Sequence, residues 1–166
     1  MKKILIATVA LLGIIACSNQ EKSSEAMKYD QVVMDHMEKM HQTLFAVQRL
    51  ATSDSIDLQR AAAKFGSEID SSAKAIKDLS DFDGNTAYRD AALKLADFYK
   101  SSVMGPYLEI GKAYKEVKDT AALHSKVDAI ITKLQQDESV ADDDFIKQRN
   151  AFAAKNNFKI DSMIAQ

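Results

Sequence analysis

The chain has 166 residues, 46% hydrophobic and 28% charged, with 22 Lys and Arg against 24 Asp and Glu and a formal net charge of −2. No basic surplus or basic stripe marks a nucleic-acid partner, and a single cysteine excludes any internal disulfide. One proline, five glycines and no tryptophan leave a helix-forming composition, poor in the turn signals that a β-sandwich needs.

Lys2 and Lys3 open the chain, and Ile4 to Ile15 form an apolar run, shorter than the about 20 residues that span a bilayer. Polar Ser18-Asn19-Gln20-Glu21-Lys22 ends the run too early for a membrane helix. Ile14-Ile15-Ala16-Cys17 resembles a lipobox, the cleavage and lipid-attachment site of bacterial lipoproteins. The resemblance implies acyl chains on Cys17, through a diacylglycerol thioether, and removal of residues 1–16 as a signal peptide. Two or more acyl chains anchor a protein firmly, whereas one holds it only marginally. An ordinary secretory signal would instead leave Cys17 as a lone exported thiol. Ser18, where aspartate would signal inner-membrane retention, points within the same resemblance to the outer membrane, on either face.

Residues 17–27 read as the lipidated cysteine and a polar, flexible tether, and residues 28–166 as a helical domain. Residues 17–166 carry 20 basic and 24 acidic groups, a net charge of −4. A first helix is expected from about Tyr29 to Ala51, because Tyr29, Val32, Val33, His36, Met37, Met40, Leu44 and Val47 recur at spacings of three and four. Thr52-Ser53-Asp54-Ser55 interrupts it, and a second helix follows with Leu58, Ala62, Phe65, Ile69, Ile76 and Leu79 on its apolar face. Gly66 within that helix marks a candidate site of close helix approach. Asn85 or Thr86 is placed to cap a third helix carrying Tyr88, Leu95, Tyr99 and Val103. Its stripe continues through Tyr107, Ile110 and Tyr114, so Gly105-Pro106 predicts a kink and not a stop. Asp119 or Thr120 caps the fourth and longest helix, which runs past Val127, Leu134, Phe145 and Phe152. Asn156 or Asn157 suits its left-handed end, with Phe158 folding back as a clasp. Four amphipathic helices with short connections give an all-α, up-down-up-down four-helix bundle.

Several segments carry a family resemblance. Leu79-Ser80-Asp81-Phe82-Asp83-Gly84-Asn85, Asp90-Ala91-Ala92-Leu93, Phe98-Tyr99-Lys100 and Phe152-Ala153-Ala154-Lys155-Asn156-Asn157-Phe158 resemble an uncharacterised family of bacterial surface lipoproteins, as does the opening Tyr29-Asp30-Gln31-Val32-Val33. The resemblance implies a helical-bundle domain and an envelope location. It carries over no catalytic or binding residues.

The densest group of candidate ligands is Met34, Met37 and His41, which share one helix flank with Glu38. Thioethers with an imidazole suit Cu(I), while flexible methionines also serve as core filler. Glu38-Lys39-Met40-His41 matches half of a di-iron Glu-x-x-His motif, but no second such pair exists in the chain. Glu138 lies on the apolar face of the fourth helix, where a charge needs a partner. With Ala51 set level with Thr120, Glu138 falls beside His36, so a buried His36–Glu138 polar pair is expected. Asp81-Phe82-Asp83-Gly84-Asn85 has the flavour of a calcium loop without its spacing or closing glutamate, and reads as a turn. Asp142-Asp143-Asp144 radiates around its helix as a solvated face, and Tyr88, Tyr99, Tyr107 and Tyr114 offer a groove near Pro106 or buried rings with rim hydroxyls. No nucleophile–base pair can be assembled from these residues. The sequence therefore reads as a non-enzymatic, lipid-anchored envelope module with no cofactor. Its partner class is an envelope protein, a glycan or a small apolar molecule, and copper binding is the alternative.

Overall fold

The computed structural model describes the backbone of residues 7–51 and 58–160, and the side chains of residues 20–51 and 58–160. These residues form five helices, α1 (Ala7–Ala51), α2 (Leu58–Lys77), α3 (Ala87–Met104), α4 (Pro106–Glu116) and α5 (Thr120–Lys155). No strand occurs among them, only an isolated bridge between Phe82 and Asn85. α1, α2, α3 and α5 pack together as the expected all-α bundle, and α4 follows α3 against α1 and α5. Among the described residues no helix is long and apolar enough to cross a membrane. The turn expected at 52–55 lies outside the described residues.

Buried positions along α1 run Ala26, Asp30, Val33, Met37, Met40, Leu44, Val47 and Ala51, alternating steps of four and three. That is the seam of a helix packed from Ala26 to Ala51. Ile69 and Ile76 of α2, Leu95 and Val103 of α3, and Ile110 of α4 fill the space it faces, all at most 2% exposed. Each such side chain contributes about 1.5–3 kcal/mol by leaving water.

α1 starts earlier than the periodicity indicates. The segment read as a tether is helical, and three of its side chains are engaged or buried. Ser23 Oγ donates to the Asn157 carbonyl at 3.2 Å, Lys22 pairs with Asp83, and Ala26 is fully buried. Partners far along the chain hold Lys22 and Ser23, and no local pattern records that.

Between α2 and α3 the chain reverses through Asp83 (φ 54°) and Gly84 (φ 68°). Two successive left-handed residues make the tight turn that Asp-Gly favours, closed by the Asn85 N–H donating to the Phe82 carbonyl at 3.0 Å. Asn85 Oδ1 accepts from the Ala87 N–H at 3.0 Å and so opens α3. Arg89 braces the reversal, donating to the Leu79 carbonyl at 2.7 Å and pairing with Asp81 at 2.8 Å. The acids of the calcium-like loop are thus engaged by Arg89 and Lys22.

The single kinked third helix resolves into two. Gly105 leaves the helical region (φ −130°, ψ −91°), and Pro106 occupies the first turn of α4, where its missing N–H removes no helix bond. α5 ends as the sequence indicates at both termini. Asp119 Oδ1 accepts from the Ala122 N–H at 2.7 Å. At the other end Asn157 is left-handed (φ 55°), and the Phe158 N–H donates to the Ala153 carbonyl at 3.2 Å. Phe158 then packs edge-on against Phe152 at 5.9 Å, the hydrophobic clasp of a Schellman end.

Candidate functional site

The acids Asp30 and Glu138 lie at opposite ends of the α1–α5 seam. Asp30 is 7% exposed and fully engaged: Arg149 Nε donates to Oδ1 and an Arg149 terminal nitrogen to Oδ2, both at 2.8 Å. Tyr88 Oη adds a third bond to Oδ1 at 2.7 Å. Burial raises the Tyr88 hydroxyl pKa far above its usual range, with Asp30 adding to the effect, so Tyr88 stays protonated and donates. Around this clasp Tyr29, Phe82, Tyr88, Phe145 and Phe152 form one aromatic cluster, with centroids 5.2 to 6.5 Å apart. The Tyr29 hydroxyl is buried there without a partner.

The clasp also sets the register. Ser23 meets Asn157 and Asp30 meets Arg149, so positions that advance along α1 retreat along α5. Eleven residues on from Asp30 is His41, and eleven back from Arg149 is Glu138. There the two helices part. They touch over much less of their length than α1 and α2 do, leaving a crevice of about 320 Å³. Leu44 and Phe45 of α1, Tyr107 and Ile110 of α4, and Ile131 and Leu134 of α5 give it apolar walls. Gln48, Gln135, His41 and Glu138 supply its polar groups. Phe45 stands at its mouth, 55% exposed.

The crevice holds an electrostatic mismatch. Glu138 forms no hydrogen bond or ion pair among the described residues. Burial pushes its carboxyl pKa up, the neighbouring Asp142 adds to that, and His41 opposes it. Asp142 is raised for the same first reason, burial, again opposed by His41. Tyr99 and Tyr107 are raised by burial and by the Glu138 charge, Tyr99 also by Asp142 and Glu38. The His41 ring lies nearly parallel to Tyr99 (centroids 6.1 Å, 16°) and packs against Phe45 at 4.6 Å. The arrangement can hold a small, mostly apolar body and present a carboxylate to it.

No known protein family, characterised protein or solved structure matches this chain. The crevice is therefore judged on its own chemistry.

The expected pairing joins His36 and Glu138 by direct contact or through a water. Among the described residues the two share neither a hydrogen bond nor an ion pair, and the imidazole facing Glu138 is that of His41. The cause is register. Setting Ala51 level with Thr120 ignored that α4 occupies the level of Ala51, where Gly111 approaches both Ala51 and Leu58. α5 consequently starts beyond the end of α1, and its first turns carry exposed Ala121, Ala122 and His124. Met34, Met37 and His41 share a helix flank but not an environment: Met37 is core at 4% exposure, Met34 is half-buried against the core, and only His41 lines the crevice. Among the described residues no group of three His, Cys, Asp or Glu side chains is placed to hold a metal ion. The Cys17 side chain lies outside the described ones. Of the four tyrosines expected near Pro106, Tyr107 lines the crevice, Tyr88 serves the clasp, Tyr99 backs His41, and Tyr114 is 38% exposed. Asp30 and Arg149 went unnoticed in the sequence, although an acid four residues after Ala26 and three before Val33 falls on the α1 seam itself.

Proposed function

We propose that this chain is a lipid-anchored envelope module, held by acyl chains on Cys17, that binds a small ligand without turning it over. In this reading the bundle is up-down-up-down. Support comes from contacts that advance along one helix and retreat along its neighbour, Asp70 with Lys100 and, just past the end of α2, Leu79 with Arg89 between α2 and α3, and Tyr88 with Phe152 and Lys94 with Asp144 between α3 and α5. The crevice carries the binding reading. α1 and α5 separate around about 320 Å³ of space lined by both apolar and polar side chains, within the size range of small-molecule sites. A binding role is favoured over catalysis because the polar groups there, Glu138 and His41, have no nucleophile between them and no metal cluster beside them. The copper alternative draws less support, since neither Met34 nor Met37 lines the opening.

Two measurements test the reading. Cells fed radiolabelled palmitate should yield a labelled product that Cys17→Ser abolishes, and an unlabelled wild-type product would remove the anchor. A neutral apolar fluorescent probe should bind the purified protein and lose its site in Gln135→Trp, which places bulk in the crevice, with both proteins held in the same detergent. Equal probe binding by the two would remove the crevice as the site.

A further inference from the structure

The acids of this bundle that face a neighbouring helix mostly meet a base. Asp30 meets Arg149 at 2.8 Å, Asp70 meets Lys100 at 2.7 Å, Asp144 meets Lys94 at 3.2 Å and Glu109 meets Lys126 at 3.5 Å. Glu138 breaks the pattern. It is half-buried on the crevice wall, no Lys or Arg among the described residues pairs with it, and Asp142 one turn on adds a second negative charge. The one base nearby among the described residues, His41, packs against the rings of Phe45 and Tyr99. A half-buried carboxylate without a cation is costly, and a cavity with aromatic walls beside it offers the cation a second attraction through the ring faces.

Resting on the reading of the crevice as a small-molecule site, we propose that its ligand is a small organic cation. An aliphatic or aromatic body would lie against Leu44, Phe45, Ile110 and Leu134, and a protonated amine would meet the carboxylate of Glu138. A calcium or magnesium ion fits less well, because it takes six or more oxygen ligands, and among the described residues no three His, Cys, Asp or Glu side chains are placed to hold a metal ion.

Titration calorimetry of the purified full-length chain with 2-phenylethylamine and with its neutral counterpart 2-phenylethanol tests this at neutral pH. The amine should bind about ten-fold or more tighter than the alcohol, the worth of one charge-assisted hydrogen bond. Glu138→Gln should erase that preference while leaving the alcohol unaffected. Phe45→Ala, a change at an exposed position, should weaken both ligands. Equal binding of amine and alcohol by the wild type would overturn the cation while leaving a small-molecule site in place. An amine preference that survives Glu138→Gln would also overturn it. Binding of neither compound would overturn both readings together.

Discussion

α1 and α5 meet at one end of their seam and part at the other, eleven residues away, and the contrast is one of charge balance. At the closed end a carboxylate 7% exposed accepts three hydrogen bonds, two from a guanidinium and one from a phenol. At the open end a carboxylate on the same seam faces another acid and an imidazole. A charge whose lone pairs are all engaged tolerates burial, whereas one without a partner must keep access to water or to a ligand. The helices close over Asp30 and cannot close over Glu138.

Removing the guanidinium should have the largest effect. Arg149→Met leaves Asp30 buried and unpaired, a loss of about 3–5 kcal/mol, measured by urea denaturation. Asp30→Leu combined with Arg149→Met should recover most of that loss. A single-variant loss near zero would mean that the aromatic cluster alone closes this end.

Next come two glycines that separate the open end from the rest. A Cβ at Gly111 would fall 2.2 Å from Leu58 Cδ2, so Gly111→Ala should cost about 1–3 kcal/mol through overpacking. At Gly66 the nearest atom is the sulfur of Met104, 3.2 Å away on a side chain 47% exposed. That side chain can yield, and Gly66→Ala should stabilise by roughly 1 kcal/mol through helix propensity. The close approach that the sequence suggested at Gly66 belongs to Gly111. Thermal melts of the two variants should move in opposite directions.

Smaller still is a pH effect confined to the open end. Glu138 has a folded pKa above its ordinary 4.5, so the folded chain holds that proton more tightly than the unfolded one. Stability from this group therefore falls as pH climbs from about 4.5 through the folded pKa. Asp142 acts in the same sense from 3.8 upward. His41 on α1 opposes both, while Tyr99 and Tyr107 face the site uncharged. Glu138→Gln should match the wild type at low pH and exceed it near neutrality in Tm. A wild-type advantage at neutral pH would mean that Glu138 has a cationic partner after all. Smallest is the response to copper. With Met37 in the core, Cu(I) titrated against a competing chelator should find no site tighter than micromolar. Tight binding lost in His41→Ala would restore the metal reading.

Helix positions were legible because apolar spacing, Asp119 and the Asn156-Asn157-Phe158 ending are local signals. The α1 seam was legible too, apart from Asp30, whose place on the stripe was masked by its charge. The site was legible in its parts: Glu138 stood out as an acid on an apolar face, but the imidazole that acts on it is that of His41 and not His36. Spacing within a helix reports which face a residue shares. It does not report which residue of another helix lies opposite.

By itself the sequence determined an all-helical chain, its stripes, most of its helix ends and the lipobox-like start, since all of these depend on residues within a few turns of one another. Tertiary structure alone decided that Ser23 and Lys22 join the bundle, that α4 displaces α5 along α1, and that Glu138 meets His41 across an open seam. Those outcomes rest on contacts between residues over fifty positions apart, where the longest-range ion pair sets the register and volume and charge balance settle what closes.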